Sequence, residues 1–400
     1  MDGDSDHTAQ RPIRVLMQQA AMPAFRVPYY RSLAERDAID LTVLYGELDL
    51  PNVEPEGFKA EFRRMKTLPG GFKYDARHMQ MLTPGAWDAL SMAWNTRFLS
   101  LFPGIRRAKK LGMGVVVWGH GYSKSEGAFR SWLRFKAGQM ADAVVLYSQS
   151  VADDYIKRGM PKEKVFVALN SLDPGPMQEA RSKILADPEG LAAFKREHGL
   201  GGDDGTDSVI VYVSRLDPNN RVPMLVEATK KLLDEVPRLT TVVIGKGPDL
   251  DNVKATAKRL GITERVLCPG PVYGEDNIGP WLCSSDVFCY PANIGLSILH
   301  AMNYALPVVT SDHIESQNPE IEALRDGENG LLYRHGSVDD LASKLATLLR
   351  DKDLRARLGN EAHRTATEDY HTDRMADGME AALTFAHERA RARQTLPSMH

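Results

Sequence analysis

The stretch Ser208-Val209-Ile210-Val211-Tyr212-Val213-Ser214-Arg215-Leu216-Asp217 decides the fold class. Its first six residues carry no charge and are mostly β-branched. They read as a strand buried on both faces, the habit of parallel sheets covered by helices. A polar loop follows, and then helical spacing over 222–234. The same unit recurs downstream. A strand over 240–244 leads into a helix over 250–260, one over 265–268 into 278–284, and one over 287–290 into 295–304, with a strand over 307–310 after it. This alternation predicts a doubly wound α/β domain, with further helices over most of 338–389.

Upstream the pattern is less regular. Ile13-Arg14-Val15-Leu16-Met17 predicts an opening strand, and Pro28 suits the first turn of a helix that runs to Leu33. Further strands are expected over 41–45, 114–118, 143–147 and 164–169. Residues 47–85, rich in Pro and Gly, read as a long excursion. Residues 174–206, ending in Gly201-Gly202-Asp203-Asp204-Gly205, read as a connection between domains, with a helix over 184–198. At about 150 residues per domain, 400 residues predict more than one domain. The expected organisation is a first Rossmann-like domain over 1–173, the connection over 174–206, a second such domain over 207–370, and a C-terminal helix over 371–400 crossing back to the first. The fold class is therefore α/β, two facing doubly wound domains with a cleft between them.

Composition narrows the function. With 43% hydrophobic and 26% charged residues the chain can bury a core, which excludes a largely disordered chain. Fifty Lys and Arg against 53 Asp and Glu leave a net charge of −3, so no global positive field holds nucleic acid. Cys268, Cys283 and Cys289 form no CxxC pair, and neither a disulfide scaffold nor a thiolate zinc site is expected. No stretch approaches the ~20 apolar residues of a membrane span, and residues 1–11 lack a signal core. The expected location is the cytoplasm, with peripheral attachment at the inner membrane surface left open. No HExxH, GxxxxGK[ST] or GxSxG element occurs, and no full dinucleotide fingerprint.

Strand ends carry the candidate chemistry, because ligands of open α/β sheets bind outside the carboxyl ends of strands. Arg215 stands at such an end and can fork onto two phosphate oxygens. Arg221 lies at the following helix start, where the helix dipole disfavours a cation and an external anion would explain it. Both also fit surface salt bridges. Lys246, in Gly245-Lys246-Gly247-Pro248, ends the next strand. In Pro291-Ala292-Asn293-Ile294-Gly295-Leu296-Ser297, Gly295 permits close backbone approach, the first helical N–H groups can hold an anion, and Ser297 adds a hydroxyl. A tight strand-to-helix turn reads the same way. His120, in Trp118-Gly119-His120-Gly121, suits a polar ligand or a structural loop. Glu320, after Pro319, caps a helix start or points at the ligand, and Asp339-Asp340 reads as capping.

Taken in order, Ser214-Arg215-Leu216, Gly245-Lys246-Gly247-Pro248, Ser285 to Pro291, Gly295-Leu296-Ser297, Leu306-Pro307-Val308-Val309 and Asp326-Gly327-Glu328-Asn329-Gly330 resemble retaining, nucleotide-sugar-dependent glycosyltransferases of the GT-B fold, glycosyltransferase family 4-like. The likeness is strongest over 208–349. The resemblance implies that Arg215 holds the diphosphate of a UDP- or GDP-linked sugar, with Gly245, Lys246, Gly247, Gly295, Leu296 and Ser297 around it. It places His120 near the transferred sugar and Glu320 beside it. It also implies no metal, no separate cofactor, and a carbohydrate, glycolipid or small-molecule acceptor bound mainly by the first domain.

Three departures mark a divergent branch. The family's two glutamates eight positions apart are Ala292 and His300; His300 retains hydrogen-bonding capacity toward ribose. The usual lysine five residues after the arginine is Asn220, with Arg221 beside it. Gln317-Asn318 replaces a frequent glycine pair. Gln18, Gln19, Arg26 and Tyr29 border the first strand's loop and are candidate acceptor contacts. Lys124, Arg130, Arg134 and Lys136, interleaved with Phe129, Trp132 and Leu133, fit an anionic membrane surface or an amphipathic helix packed on its own domain. Competing functions are a sugar-nucleotide isomerase or hydrolase and a non-catalytic sugar-nucleotide-binding protein.

Overall fold

The computed structural model describes residues 11–47, 51–123, 127–201 and 207–395. It divides into two compact units, one of residues 1–169 with 372–400, the other of residues 170–371.

In the N-terminal unit, β1 (Ile13–Gln19), β2 (Ile39–Tyr45), β3 (Lys59–Phe62), β6 (Ala89–Ala93), β7 (Gly114–Gly119), β8 (Ala143–Leu146) and β9 (Val165–Val167) form a parallel sheet in the order β3-β2-β1-β6-β7-β8-β9. A separate antiparallel hairpin joins β4 (Lys66–Leu68) to β5 (Phe72–Tyr74). The uncharged strand runs are buried on both faces. Val15, Met17 and Val43 pack under helices Val27–Ala34 and Thr372–Thr395, while Leu16, Leu90 and Val117 pack under the helices on the other side. Within the excursion expected over 47–85 the chain makes β3, the hairpin and a short helix, Ala76–Met81. The central β6 is a strand the sequence reading lacked.

Helix Ala76–Met81 starts at Asp75, whose carboxylate accepts from the His78 backbone N–H at 2.9 Å and pairs with buried Arg63. His78 is wholly buried, and among the described residues neither ring nitrogen has a partner. Burial holds its imidazole down to about 4. The unfolded chain therefore takes up a proton near pH 6.5 that the folded chain refuses until about 4. Stability is fully present above pH 6.5 and lost as pH falls through that window, by about 3 kcal/mol. Urea midpoints at pH 7 and pH 4.5 test this. His78→Leu is expected to flatten that part of the dependence, and an unchanged slope would refute the assignment.

In the C-terminal unit, β10 (Ser208–Val213), β11 (Leu239–Ile244), β12 (Val266–Gly270), β13 (Val287–Cys289), β14 (Val308–Ser311) and β15 (Gly330–Tyr333) form a parallel sheet in the order β12-β11-β10-β13-β14-β15. Chain order reverses between β10 and β13. The loops leaving those two strands, 214–221 and 290–296, thus stand at the topological switch point.

The connection expected over 174–206 and the helix expected over 184–198 need correction. Residues 174–201 are not a connection but two helices of the C-terminal unit, Gly175–Leu185 and Pro188–Glu197, split where Asp187 caps the second at Gly190. The single helix expected over 184–198 fails there because Pro188 cannot continue the first helix. Gly202 to Gly205, like residues 1–10 and Lys124, lie outside the described residues. Helix Thr372–Thr395 belongs to the N-terminal unit, where Arg393 pairs with buried Asp142 and donates to the Met113 carbonyl at 3.1 Å.

Candidate functional site

The loop after β10 is shaped by its neighbours. Gly245 and Gly247 have φ of 148° and 159°, and a Cβ on either would stand 1.9 Å from the Ser214 carbonyl oxygen or 2.1 Å from that of Leu216. Their first role is therefore backbone packing. The 245–247 turn lies directly against the 214–216 loop, with the Leu216 N–H donating to the Lys246 carbonyl at 3.0 Å. That packing leaves the Arg215 and Lys246 side chains exposed. Among the described residues Arg215, Arg221 and Lys246 have no side-chain hydrogen bond or ion-pair partner.

Arg221 is left-handed (φ 54°, ψ 37°), a conformation costing an arginine roughly 1 kcal/mol. Asn220 explains the turn. Its buried amide donates to the Arg215 carbonyl at 2.7 Å and to the Tyr212 hydroxyl at 3.0 Å, and its oxygen accepts from Asn293 at 2.9 Å. Asn220 is thus a brace, and the cation beside it, Arg221, is turned out to solvent. Near Arg221, the His335 Nδ1 meets the Ser311 hydroxyl at 2.8 Å. Burial, then Arg221 and His313, hold that imidazole below its ordinary value against the pull of Asp312.

The loop after β13 is held by side-chain amides. The Gln317 Oε1 accepts from the Ile294 N–H at 2.8 Å, and the Asn318 Nδ2 donates to the Asn293 and Ile294 carbonyls at 3.1 and 3.0 Å. The replaced glycine pair is thus a clamp. The helix begins at Ser297 rather than Gly295 and ends at Asn303, seven residues, so little macrodipole stands behind it. The N–H groups of Gly295, Leu296 and Ser297 meet no acceptor among the described residues and are the donors this turn could offer an anion. Ala292 is buried. Glu320 is buried in a 3₁₀ turn, Pro319–Ala323, rather than an α-helix. Its carboxylate accepts from Asn170 and lies 3.8 Å from where a side chain on Gly295 would begin.

His300 is committed elsewhere. Its Nε2 meets Glu275 at 3.1 Å, and the Tyr304 hydroxyl donates to the same carboxylate at 2.7 Å. Burial works to raise Glu275; the hydrogen bonds from His300 and Tyr304 outweigh it and hold the carboxyl below its ordinary value. A carboxylate from another helix thus adjoins His300. Glu275, Asn293, Gln317 and Asn318 went unread as working residues, because their partners lie far along the chain.

The N-terminal candidates separate. His120 is exposed at the end of β7, its ring 4.7 Å from that of Tyr147. Gln18 and Tyr29 are wholly buried, Gln18 accepting from the Ala93 N–H at 3.1 Å and Tyr29 packed on Trp118 at 5.3 Å. Burial removes both from direct acceptor contact. Arg26 is buried with its guanidinium 5.3 and 5.2 Å from the Trp118 and Tyr147 rings, a structural cation–π contact. The half-buried Gln19 accepts from Arg63 at 2.8 Å through its carbonyl. Among the described residues no group of three or more His, Cys, Asp or Glu stands together as a metal site.

The sequence profile of Glycosyl transferases group 1 matches residues 194–365. The chain is 22% identical over 369 residues to EpsD of Bacillus subtilis, 86% of this chain and 88% of that one. It is 26% identical over 234 residues to the GDP-mannose-dependent alpha-(1-6)-phosphatidylinositol monomannoside mannosyltransferase of Mycolicibacterium smegmatis, covering 56% of this chain and 57% of that one. Among solved structures, Anabaena HepE in complex with UDP superposes with a TM-score of 0.68 at 18% identity, covering 96% of this chain and 100% of that one. The fold is of the GT-B kind, and the chain is related in sequence to nucleotide-sugar enzymes.

Proposed function

We propose that this protein is a retaining glycosyltransferase that moves a sugar from a UDP- or GDP-linked donor to a hydroxyl acceptor. The observation that carries this reading is the set of unpaired groups at the C-terminal switch point. Arg215, Arg221 and Lys246 offer three cations, and Gly295, Leu296 and Ser297 offer three free N–H donors. Such a set has no use within the folded chain and suits a diphosphate. HepE, of the same fold, has been crystallised with UDP-glucose.

In this reaction the bond from the anomeric carbon to the diphosphate oxygen breaks, and a bond to the acceptor oxygen forms on the same face. The acceptor proton passes to the departing phosphate, so no protein base is assigned. Arg215 and Arg221 stabilise the charge that grows on that phosphate, preorganised by the packed loops around them. His120 and Glu320 are assigned to the transferred sugar. Glu275 with His300 is assigned to the ribose. The acceptor is a carbohydrate, a glycolipid or a small hydroxyl compound.

A thermal-shift screen of UDP, GDP, ADP and their sugars tests the reading. At a hundredfold excess over Kd the matching diphosphate adds about 2.7 kcal/mol of stability. No shift with any of them would sink the proposal. Efficient turnover of donor alone would indicate an isomerase or hydrolase, and tight donor binding without product across an acceptor panel would indicate a binding protein.

A further inference from the structure

The N-terminal unit presents a second feature with no use inside the fold. On helix Ala128–Met140, Phe129 and Trp132 are 69% and 51% exposed and stack on each other at 5.9 Å. The sequence reading had this helix alone. The structure joins it to two further elements. Arg130 reaches Thr96 of the 95–99 loop at 3.4 Å, and that loop is laced to β5 by Lys73 N–H to Arg97 carbonyl and Leu99 N–H to Lys73 carbonyl, both 2.9 Å. In the hairpin, Leu68 stands opposite Phe72, and Lys66 opposite Tyr74. Leu68, Phe72, Tyr74 and Leu99 are all exposed. Large apolar side chains on three linked elements, each left in water, exceed the scatter of single residues that a surface normally shows.

Charge selects the occupant. Of the cations along residues 62–74 and 89–141, Arg63 and Arg134 are buried, and Lys109 pairs with Asp142, so the surface charge rests on the others. Among the described residues Lys66, Lys73, Arg97, Arg130 and Lys136 pair with no carboxylate. A surface that is aromatic and carries these unpaired cations fits a partner that is apolar beneath an anionic skin. A second copy of this chain, with net charge −3 but the same cationic face, would meet like charge at a two-fold contact. Among the described residues no helix is long and apolar enough to cross a membrane, so attachment would be in the plane of the surface.

We propose that the hairpin β4–β5, the 95–99 loop and the first turns of helix Ala128–Met140 form a docking face for an anionic lipid bilayer. Phe129 and Trp132 enter the headgroup boundary, and the flanking cations hold the lipid phosphates. This proposal is independent of the donor site in the other unit.

The test is co-sedimentation of the full chain with vesicles of phosphatidylcholine alone and of phosphatidylcholine mixed with phosphatidylglycerol. Binding is expected to the mixed vesicles and to weaken as salt is added. Phe129→Ser with Trp132→Ser, both exposed and so harmless to the fold, is expected to weaken binding about tenfold or more, and Lys66→Gln with Arg97→Gln and Arg130→Gln likewise. The emission of Trp132, taken as the difference from Trp132→Phe, is expected to move to shorter wavelength on binding. No sedimentation with anionic vesicles, or sedimentation untouched by both sets of substitutions, would overturn the proposal. So would a dimer in solution that the Phe129 and Trp132 substitutions dissolve while vesicles are ignored.

Discussion

Replacing Arg215 by alanine is expected to lower kcat/KM by about 10²–10³-fold while leaving the fold intact, the loss that follows removal of one preorganised charge donor. The two halves of this expectation have separate causes. Among the described residues the guanidinium makes no hydrogen bond or ion pair, so its removal costs the fold at most about 0.5 kcal/mol. What the fold uses is the Arg215 carbonyl, held by Asn220 and Tyr212, which alanine retains. Lysine at this position is expected to recover little, because a single ammonium cannot fork across two oxygens. Arg221 extends the argument. Its left-handed backbone is tolerated for an unpaired side chain, so Arg221→Gly is expected to raise Tm, by relief of about 1 kcal/mol, while weakening nucleoside diphosphate binding. Calorimetric titration with the matching diphosphate, beside a melting curve, measures both. Unchanged affinity in Arg215→Ala would remove the diphosphate from this loop.

The legible part of this chain was the part where burial and chemistry coincide. Five of the six strands of the C-terminal sheet, all but β15, are mostly uncharged branched runs that pattern alone located, and Arg215 followed as a cation placed just past one. Strand β6 was hidden because Ala89-Leu90-Ser91-Met92-Ala93 has no β-branched residue; its place between β1 and β7, which buries even Ser91 completely, makes it a strand. Gln18 and Tyr29 misled for a related reason. Standing near the end of a strand does not say which way a side chain turns, and both turn into the core. The amides of Asn220, Asn293, Gln317 and Asn318 were unreadable for another reason. Each is recognised only by a backbone or side-chain atom on a loop remote in sequence, and in isolation each looks like a departure from a family pattern.

Those amides carry the second large effect. Gln317 is buried, with its Nε2 donating to the Ser311 carbonyl at 3.0 Å and to the Thr310 hydroxyl at 3.3 Å while its Oε1 holds the Ile294 N–H. It joins β14 to the loop that presents the three free N–H donors. Truncation to alanine leaves a buried donor at Ile294 and a buried acceptor at Ser311, at a cost of about 1–3 kcal/mol apiece. It also frees the loop to shift, and a displacement of about 1 Å near the reacting phosphate costs on the order of 10²-fold in rate. Gln317→Ala is therefore expected to lower both Tm and kcat/KM. Gln317→Glu separates hydrogen bonding from volume. It keeps the shape and the acceptor oxygen but loses the donor, setting a carboxylate against the Ser311 carbonyl, and is expected to do no better than alanine. Asn318→Ala, with its amide half-buried on the Asn293 and Ile294 carbonyls, is expected to cost less in Tm than in donor KM. Were Gln317→Glu to behave as wild type in both melting and donor kinetics, the clamp would be an accident of packing, and the order of the 293–297 loop would have to come from the backbone alone.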